Sequence, residues 1–390
     1  MRPQNPEGGT TFRGMLSPPT QGDDSDRYMD TASGLAPGPT VLRALDNAWR
    51  TASADPGRRY PDARLARRLL DHSRSAVAAA FGVPTAGVWF AGSYPAAVWL
   101  ALTAAGPSQR LIVSDVEDLT ILRTADLLAP DGIPVSTWPV DHTGQVDMTE
   151  IPPLDGATVV VQDGNIELGT RQPLADVAAA MPPDAGLVVD LRAVAGRETI
   201  TEHFDIAFAD ARMWGGPAGV AVVVARDPAR FRPAVPVTDG HGHVEDTHPP
   251  VPLIAAAALA LESPDPRWPR LRAVSDLLRR LVLARISDVA VLGHPDDRVG
   301  YLTMLTFLYV PADELVDLLA ERGWSVASGA SCTADTRRPH HVLVAIGAST
   351  HGSLRVSLGP WSTTNLIEQF VTDLEHAVSA IRAGIGATDL

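Results

Sequence analysis

The sequence predicts an α/β protein with a large, mostly parallel sheet of seven strands, followed by a smaller C-terminal α+β domain. Seven short apolar runs alternate with helical stretches up to residue 225, as in repeated strand–helix–strand units. Several runs are continuous in Val, Ile and Leu, which is typical of strands buried on both faces of a parallel sheet. The rhythm changes after Arg226, where a Pro-, His- and Gly-rich stretch indicates a connecting loop over 231–250.

The individual elements follow from apolar periodicity. The pattern predicts a helix over 61–81, with arginines opposite its apolar face. The seven strands are expected at 88–90, 111–114, 135–139, 158–162, 187–190, 206–209 and 219–225. The smaller domain is expected to contain helices at 268–286 and 312–322 and strands at 289–292, 301–309 and 354–358. A last amphipathic helix begins after a cap at Ser362, Thr363 or Thr364.

Three regions are expected along the chain. Residues 1–27 have no apolar period and predict a disordered tail. Residues 28–250 form the large α/β domain and residues 251–390 the small α+β domain. An alternative is that the N-terminal segment of the large domain belongs to the small domain.

Composition excludes several classes of function. The chain has 390 residues, 45% of them apolar and 20% charged, and a net charge of −14. This argues against disorder, and against nucleic acid or an anionic membrane as a partner. No apolar run reaches the roughly 20 residues that a membrane helix needs, and the N-terminus lacks a signal-peptide pattern, so we expect a cytoplasmic protein. The single cysteine, Cys332, excludes an internal disulfide and a cysteine metal cluster.

The chain contains no lysine, because all 32 of its basic residues are arginine. A GC-rich genome accounts for such a bias, but the chemical consequence is absolute. A Schiff base to a carbonyl cofactor, a phosphate-loop lysine and a lysine general base are all excluded.

Several motifs together resemble cysteine desulfurases, which belong to the class V aminotransferases among the fold-type I pyridoxal phosphate (PLP) enzymes. The C-terminal pair is Ala327-Ser328-Gly329-Ala330-Ser331-Cys332-Thr333 and Leu354-Arg355-Val356-Ser357-Leu358-Gly359. Other landmarks fall in the family's order: Tyr28-Met29-Asp30-Thr31-Ala32, the phosphate-binding turn with Ser93 and Tyr94, Asn165-Ile166-Glu167-Leu168-Gly169, the pyridine-pairing Asp190, and Trp214-Gly215-Gly216-Pro217. The resemblance covers about residues 28–384 and implies a fold-type I fold.

The departures from this pattern concern the cofactor. Met213 stands where the family has its Schiff-base lysine, and a thioether cannot form an aldimine. Asp210 stands where the resemblance places a phosphate-binding serine. A carboxylate about 4 Å from a phosphate costs on the order of 4 kcal/mol per unit charge at an effective dielectric near 20. Arg212 offsets part of this repulsion.

Other walls of the implied pocket also differ. Asp118 replaces the histidine that stacks on the cofactor ring, and Ala193 and Val194 replace a glutamine and a serine. Asp246-Thr247 stands in place of a Gly-Thr pair whose hydroxyl reaches the neighbouring subunit's phosphate. We therefore interpret the PLP pocket as degenerate and expect no cofactor. Its residues are Ser93, Tyr94, Asp118, Asn165, Asp190, Asp210, Arg212, Met213 and Thr247.

Two functional positions of the family are retained. Cys332 stands at the persulfide-forming cysteine, and Arg355 at the arginine that binds the substrate carboxylate. The alternatives are an inert thiol for Cys332 and a structural ion pair for Arg355. Without a cofactor, Asp190 is expected to pair with Arg192 or Arg212. A loop with His241, His243, Asp246 and His248 has ligands for zinc, but a solvated loop is the favoured interpretation, and we expect no metal.

Three functional hypotheses stay open. The first is that the protein is a pseudoenzyme or partner subunit, forming a homodimer or a heterodimer with an active relative. The second is that it is a PLP-independent enzyme acting on a carboxylate-bearing small molecule, or a persulfide carrier through Cys332. The third is that it binds PLP or a PLP adduct without a covalent bond. A small anionic substrate or ligand is expected, with no nucleic acid and no membrane as partner.

Overall fold

The computed structural model describes residues 26–104, 110–129, 132–231, 249–329, 340–350 and 352–387. Its larger sheet has seven strands in the order β1-β7-β6-β5-β4-β2-β3. They are β1 (Val88–Ala91), β2 (Arg110–Ser114), β3 (Val135–Trp138), β4 (Ala157–Gln162), β5 (Gly186–Asp190), β6 (Ile206–Asp210) and β7 (Ala221–Ala225). The five strands from β6 to β3 pair in parallel, while β7 is antiparallel to both of its neighbours, β6 and β1. The predicted fold class is confirmed.

Helices cover both faces of this sheet, so its central strands are buried on both sides. All residues of β4, β6 and β7 are buried, which is why these strands are continuous apolar runs in the sequence. The helices are α1 (Pro39–Thr51), α2 (Pro61–Phe81), α3 (Tyr94–Ala104), α4 (Leu119–Leu128), α5 (Leu174–Ala180) and α6 (Val251–Glu262). Helix α2 has the predicted bounds and ends at Gly82, whose φ of 64° suits a residue without a Cβ.

A second sheet of four antiparallel strands follows, in the order β10-β11-β9-β8. Its strands are β8 (Val289–Leu292), β9 (Leu302–Phe307), β10 (Ala327–Ser328) and β11 (Ser353–Ser357), accompanied by helices α7 (Leu271–Arg285), α8 (Ala312–Ala320), α9 (His341–Ala345) and α10 (Thr364–Gly384). Strand β9 is shorter than predicted, and the chain adopts a positive φ of 60° at Tyr309, which extended backbone does not allow. A single 3-10 turn, Trp268–Arg270, replaces the predicted start of α7.

The N-terminal segment adds to the smaller sheet. Tyr28 bridges Ser325, and Asp30 bridges Ser357 at the end of β11. Thr31 is buried and its hydroxyl donates to the Leu358 carbonyl over 2.8 Å. The segment before α1 therefore pairs with the smaller sheet, whereas the division into three regions stays a prediction.

Four polar residues end the parallel strands. Ser114, Gln162, Asp190 and Asp210 are the last residues of β2, β4, β5 and β6. Because these strands run in the same direction, the four residues lie at one edge of the sheet, the usual ligand-binding edge of open α/β sheets. No helix in the described part of the chain is long and apolar enough to cross a membrane.

Candidate active site at the carboxyl edge of the large sheet

Arg192 lies between two carboxylates at this edge. Its Nε donates to Asp190 Oδ2 over 2.9 Å, and its Nη2 lies 3.1 Å from Asp118 Oδ2. Its guanidinium stacks 3.6 Å above the centroid of the Tyr94 ring, and the Tyr94 hydroxyl donates to Asp190 Oδ2 over 3.0 Å. The four side chains form one polar cluster in which Asp118 is the most exposed member, and both carboxylate oxygens of Asp190 accept hydrogen bonds.

Burial and neighbouring charges shift the pKa values of the groups in this cluster. Burial raises the pKa of Asp190, against the attraction of Arg192. Burial also acts to raise the pKa of Asp118, but the Arg192 charge and hydrogen bonds from Thr120 outweigh it, so that this pKa is lowered. The pKa of Tyr94 is raised well above its ordinary value, first by burial. Asp118 also caps α4 by accepting from the Thr120 N–H over 2.7 Å.

A second ion pair follows β6. Asp210 caps the single 3-10 turn Ala211–Trp214, and its Oδ2 accepts from Arg212 Nη2 over 2.8 Å. Met213 lies in this turn with its side chain buried, and its carbonyl accepts from Arg197. Gly215 ends the turn with a φ of 82°, a left-handed conformation that glycine adopts without strain. At the position where the resemblance places the lysine, the chain therefore has the buried thioether of Met213, next to the Asp210 carboxylate that Arg212 neutralises.

A cavity of about 160 Å³ opens beside Asp118 and is lined by Glu117, Asn165, Glu167, His340 and His341. Glu117 is fully buried and accepts from Ser114 Oγ over 2.6 Å, while its other carboxyl oxygen has no partner among the described residues. Burial raises the pKa of Glu117 to about 8. Burial lowers the pKa of His340 to about 4. At neutral pH, a protonated acid and a neutral imidazole therefore line the cavity.

Arg355, on β11, is held by two acidic side chains. Its Nη1 donates to Glu167 Oε1 over 2.6 Å, and its Nη2 donates to Asp30 Oδ1 over 3.0 Å and to Ser33 Oγ over 2.8 Å. Glu167 belongs to the turn that Asn165 Oδ1 fixes by accepting two backbone N–H groups. Arg355 thus joins the N-terminal segment, this turn and the small sheet.

The other predicted site residues are distributed unevenly. Ser93 is exposed and its hydroxyl accepts from the Ala96 N–H at the start of α3. Asn165 Nδ2 donates to the Val116 carbonyl over 3.0 Å, which brings the turn against the end of β2. The predicted Asp190–Arg192 pair is present. Cys332, Thr247 and the predicted loop with His241, His243, Asp246 and His248 lie outside the described residues.

Sequence reasoning missed two features of the site. Glu117 lies three residues after Ser114, the end of β2, and no local sequence pattern marks it as a buried acid. The contact between Arg192 and Asp118 joins residues 74 positions apart (192 − 118), and no local pattern predicts such a pairing.

Comparison with known proteins identifies relatives across most of the chain. The model of the family described as aminotransferase class V matches residues 27–248. An IscS-like cysteine desulfurase of Mycobacterium tuberculosis is 28% identical over 391 residues, which cover 92% of this chain and 98% of the relative. A cysteine desulfurase of Cereibacter sphaeroides is 29% identical over 378 residues, covering 91% and 96%.

Solved structures share the fold. A NifS-like protein superimposes with a TM-score of 0.82 at 21% identity, covering 90% of this chain and 99% of the other. The apo structure of a cysteine desulfurase from Thermococcus onnurineus gives a TM-score of 0.76 at 19% identity, covering 90% and 94%.

The expectation of no cofactor is wrong in the light of these comparisons. The curated relatives are cysteine desulfurases, which depend on PLP, so the comparisons point to PLP rather than to no cofactor. That expectation rested on the absence of lysine and on the changed pocket walls. A missing lysine removes the covalent bond, but by itself it does not decide whether the family's cofactor is used.

The residues that the chain places at this edge do not fit a covalently held PLP. The chain has no lysine amine, and Met213 occupies the corresponding turn. Both oxygens of Asp190, the position that the resemblance assigns to the pyridine nitrogen, already accept from Arg192, and one of them also accepts from Tyr94. Asp210, where the resemblance places a phosphate-binding serine, is a carboxylate already paired with Arg212.

The fold, the order of motifs and the relatives agree with one another. The family model covers more than half of the chain, and the seven-stranded sheet is that of NifS-like structures. The chain therefore belongs to the aminotransferase class V family and is a homologue of the cysteine desulfurases.

Proposed function

We propose that this protein is a cysteine desulfurase homologue that does not perform the lysine-dependent desulfurase reaction and acts as a partner subunit of an active relative. The observation that carries the proposal is the position of Arg192. Its guanidinium bridges Asp190 and Asp118 above the Tyr94 ring, so the carboxylates that line the carboxyl edge are engaged with the chain's own cation.

The chemistry of neighbouring groups supports the same proposal. A Schiff base needs an amine, and the chain contains no lysine. The buried Met213 thioether can neither form this bond nor exchange protons. Burial keeps Glu117 protonated and His340 unprotonated at neutral pH, so at that pH Glu117 is not available as a base and His340 is not available as an acid.

Arg355 supports it from the substrate side. A carboxylate that approaches this guanidinium has to displace Glu167 or Asp30 from hydrogen bonds of 2.6 and 3.0 Å. Displacing a buried carboxylate leaves a charge without its partner, which costs several kcal/mol. Substrate binding through Arg355, as the sequence predicts, therefore stays a prediction and competes with a structural role.

Introducing a lysine tests whether the missing amine alone, or the changed pocket as a whole, prevents the desulfurase reaction. Met213→Lys restores the amine but keeps Arg192, Asp118 and Asp210, so we expect no desulfurase activity from this variant. The readout is sulfide released from L-cysteine with added PLP. Sulfide release by Met213→Lys at the rate of an active relative would show that a single substitution separates this chain from catalysis, and would contradict the proposal.

The partner role is tested by co-expression with an active cysteine desulfurase under two different affinity tags. The proposal predicts that tandem purification retains both chains in equal amounts and that sulfide release per active chain changes. Independent elution together with an unchanged rate would contradict it. Mass spectrometry of the same sample reports whether Cys332 gains one sulfur atom as a persulfide, which would favour the sulfur-carrier hypothesis over the partner role.

A further inference from the structure

Four of the nine residues that line a second cavity, of about 320 Å³, are arginines. Arg171, Arg197, Arg272 and Arg298 contribute to its wall together with one acid, Glu198. None of the site carboxylates Asp118, Asp190 and Asp210 is among its lining residues. Four cations around one space are unusual in a chain with a net charge of −14.

The nearby carboxylates neutralise only part of this charge. Arg171 pairs with Asp163 at 2.6 Å and with Glu198 at 3.3 Å, and Arg298 pairs with Asp276. Arg272 donates to the backbone carbonyls of Arg298 and Asp296 and to no carboxylate among the described residues.

Arg197 also donates to no carboxylate among the described residues, and it has a donor that lacks an acceptor. The residue is only 4% exposed, and its guanidinium carbon lies 4.9 Å from the centroid of the Trp268 ring and 4.7 Å from that of the Tyr301 ring. It donates to the carbonyls of Met213 and Thr31, while Nη1 has no partner in the described part of the chain. A buried charged donor without an acceptor is costly, and native proteins rarely leave one without a water or a ligand.

The backbone adds to the positive potential. Helix α7 begins at Leu271, and its first turn contains Arg272 but no acidic residue. The N-terminal end of a helix carries a partial positive charge that favours anions and disfavours cations. Arg298 responds to this crowding, since burial and the charges of Arg279 and Arg272 lower its pKa to about 10.

We propose that this cavity binds a phosphate-sized oxyanion through Arg197 and Arg272. Guanidinium groups offer paired donors that match the oxygens of phosphate. The cavity has room for more than one such group, so the source is either free inorganic phosphate or the phosphoryl group of a small monoester. The proposal does not depend on the proposed partner role.

Isothermal titration of the full chain with inorganic phosphate, at constant ionic strength, tests this site. We expect one phosphate per chain and a loss of affinity of about tenfold or more in Arg272→Gln, as for removal of a charge-assisted hydrogen bond. Arg280→Gln is the matched control, because Arg280 is exposed on the same helix and does not line the cavity. Arg272→Lys keeps the charge but not the paired donors, so its phosphate affinity should lie between those of Arg272→Gln and Arg280→Gln.

Glycerol phosphate distinguishes the two sources. Tighter binding than inorganic phosphate indicates a phosphate monoester, and weaker binding indicates the free ion. Equal heats from sodium chloride, or equal losses in Arg272→Gln and Arg280→Gln, would mean general charge screening and overturn the proposal. Wild-type affinity in Arg272→Gln would overturn it as well, and unchanged thermal unfolding of the variants in phosphate-free buffer shows that folding is intact.

Discussion

At the scale of single residues, the site is defined by how its charges are neutralised. Arg192 and Arg355 are each held by two carboxylates that come from distant parts of the chain. The sequence left Arg192 and Arg212 as alternative partners of Asp190, and in the structure the partner is Arg192. It could not indicate Asp118, Asp30 or Glu167 as partners, because such pairs depend on the order of strands and on the approach of two sheets.

Arg192→Ala should destabilise the protein by roughly 3–5 kcal/mol, because it leaves the buried carboxylate of Asp190 without its counter-charge. Urea unfolding followed by circular dichroism measures this change. Arg123→Ala is the control, since Arg123 and Asp126 form an exposed pair that contributes at most about 1 kcal/mol. Equal midpoints for the two variants would show that the Arg192 cluster does not stabilise the fold.

Glu117→Gln should remove part of the pH dependence of stability. The Glu117 pKa is raised from 4.5 to about 8 in the folded protein, so the folded state binds the proton more tightly than the unfolded chain. This contribution to stability is complete below about pH 4.5 and is lost as the pH rises towards 8. Glutamine cannot ionise, so as the pH rises the unfolding free energy of the variant should increase relative to that of wild type by up to about 1.4 kcal/mol per pH unit.

Unfolding free energies of both proteins between pH 5 and pH 8 measure this difference. His340, whose pKa is lowered to about 4, is present in both proteins, so its opposite contribution cancels in the comparison. A difference that stays constant with pH would show that Glu117 is ionised in the folded protein.

At the scale of elements, apolar patterning was sufficient wherever burial is continuous. The seven strands of the large sheet and helix α2 were predicted to within about two residues. Their apolar residues form clear runs or a clear helical period, and Gly, Pro or Asp residues mark the boundaries between them. Helix α1 was missed, and Ala48 is its only buried residue. Strand β10 has two residues, which is too short for a periodic signal.

Thr363→Ala should cost about 1 kcal/mol of stability, because the Thr363 hydroxyl caps α10 by accepting from the Leu366 N–H over 3.2 Å. The sequence left Ser362, Thr363 and Thr364 as alternatives, and the structure selects the second. Thr364→Ala is the matched control and should change the unfolding free energy by less than about 0.5 kcal/mol. A larger effect at Thr364 would place the cap one residue later.

At the scale of the whole molecule, the N-terminal segment and Arg355 connect the two sheets. Arg355 on β11 holds Asp30 from this segment and Glu167 from the turn after β4. The sequence identified every landmark on this path through the family resemblance. It could not show that Arg355 already has two acidic partners, since their approach exists only in the assembled fold.

The resemblance predicts a symmetric dimer that buries well over roughly 2,000 Å², as obligate dimers do. Light scattering at micromolar concentration should give about twice the mass of one chain. Leu42 and Trp49 lie seven residues apart on α1 and are each about half exposed, so Trp49→Arg should favour the monomer. Leu283→Arg, at a similarly exposed residue of α7, is the control. A monomeric wild type would contradict the prediction.

Formation of alanine from L-cysteine tests the central claim most directly. The purified protein is incubated with L-cysteine and PLP, and alanine is quantified against a blank with PLP but no protein, with an active cysteine desulfurase as positive control. Because the chain has no lysine and its carboxyl-edge acids are paired with Arg192 and Arg212, the account predicts no alanine above the blank. Alanine formation that exceeds the blank and disappears in Cys332→Ser would contradict it.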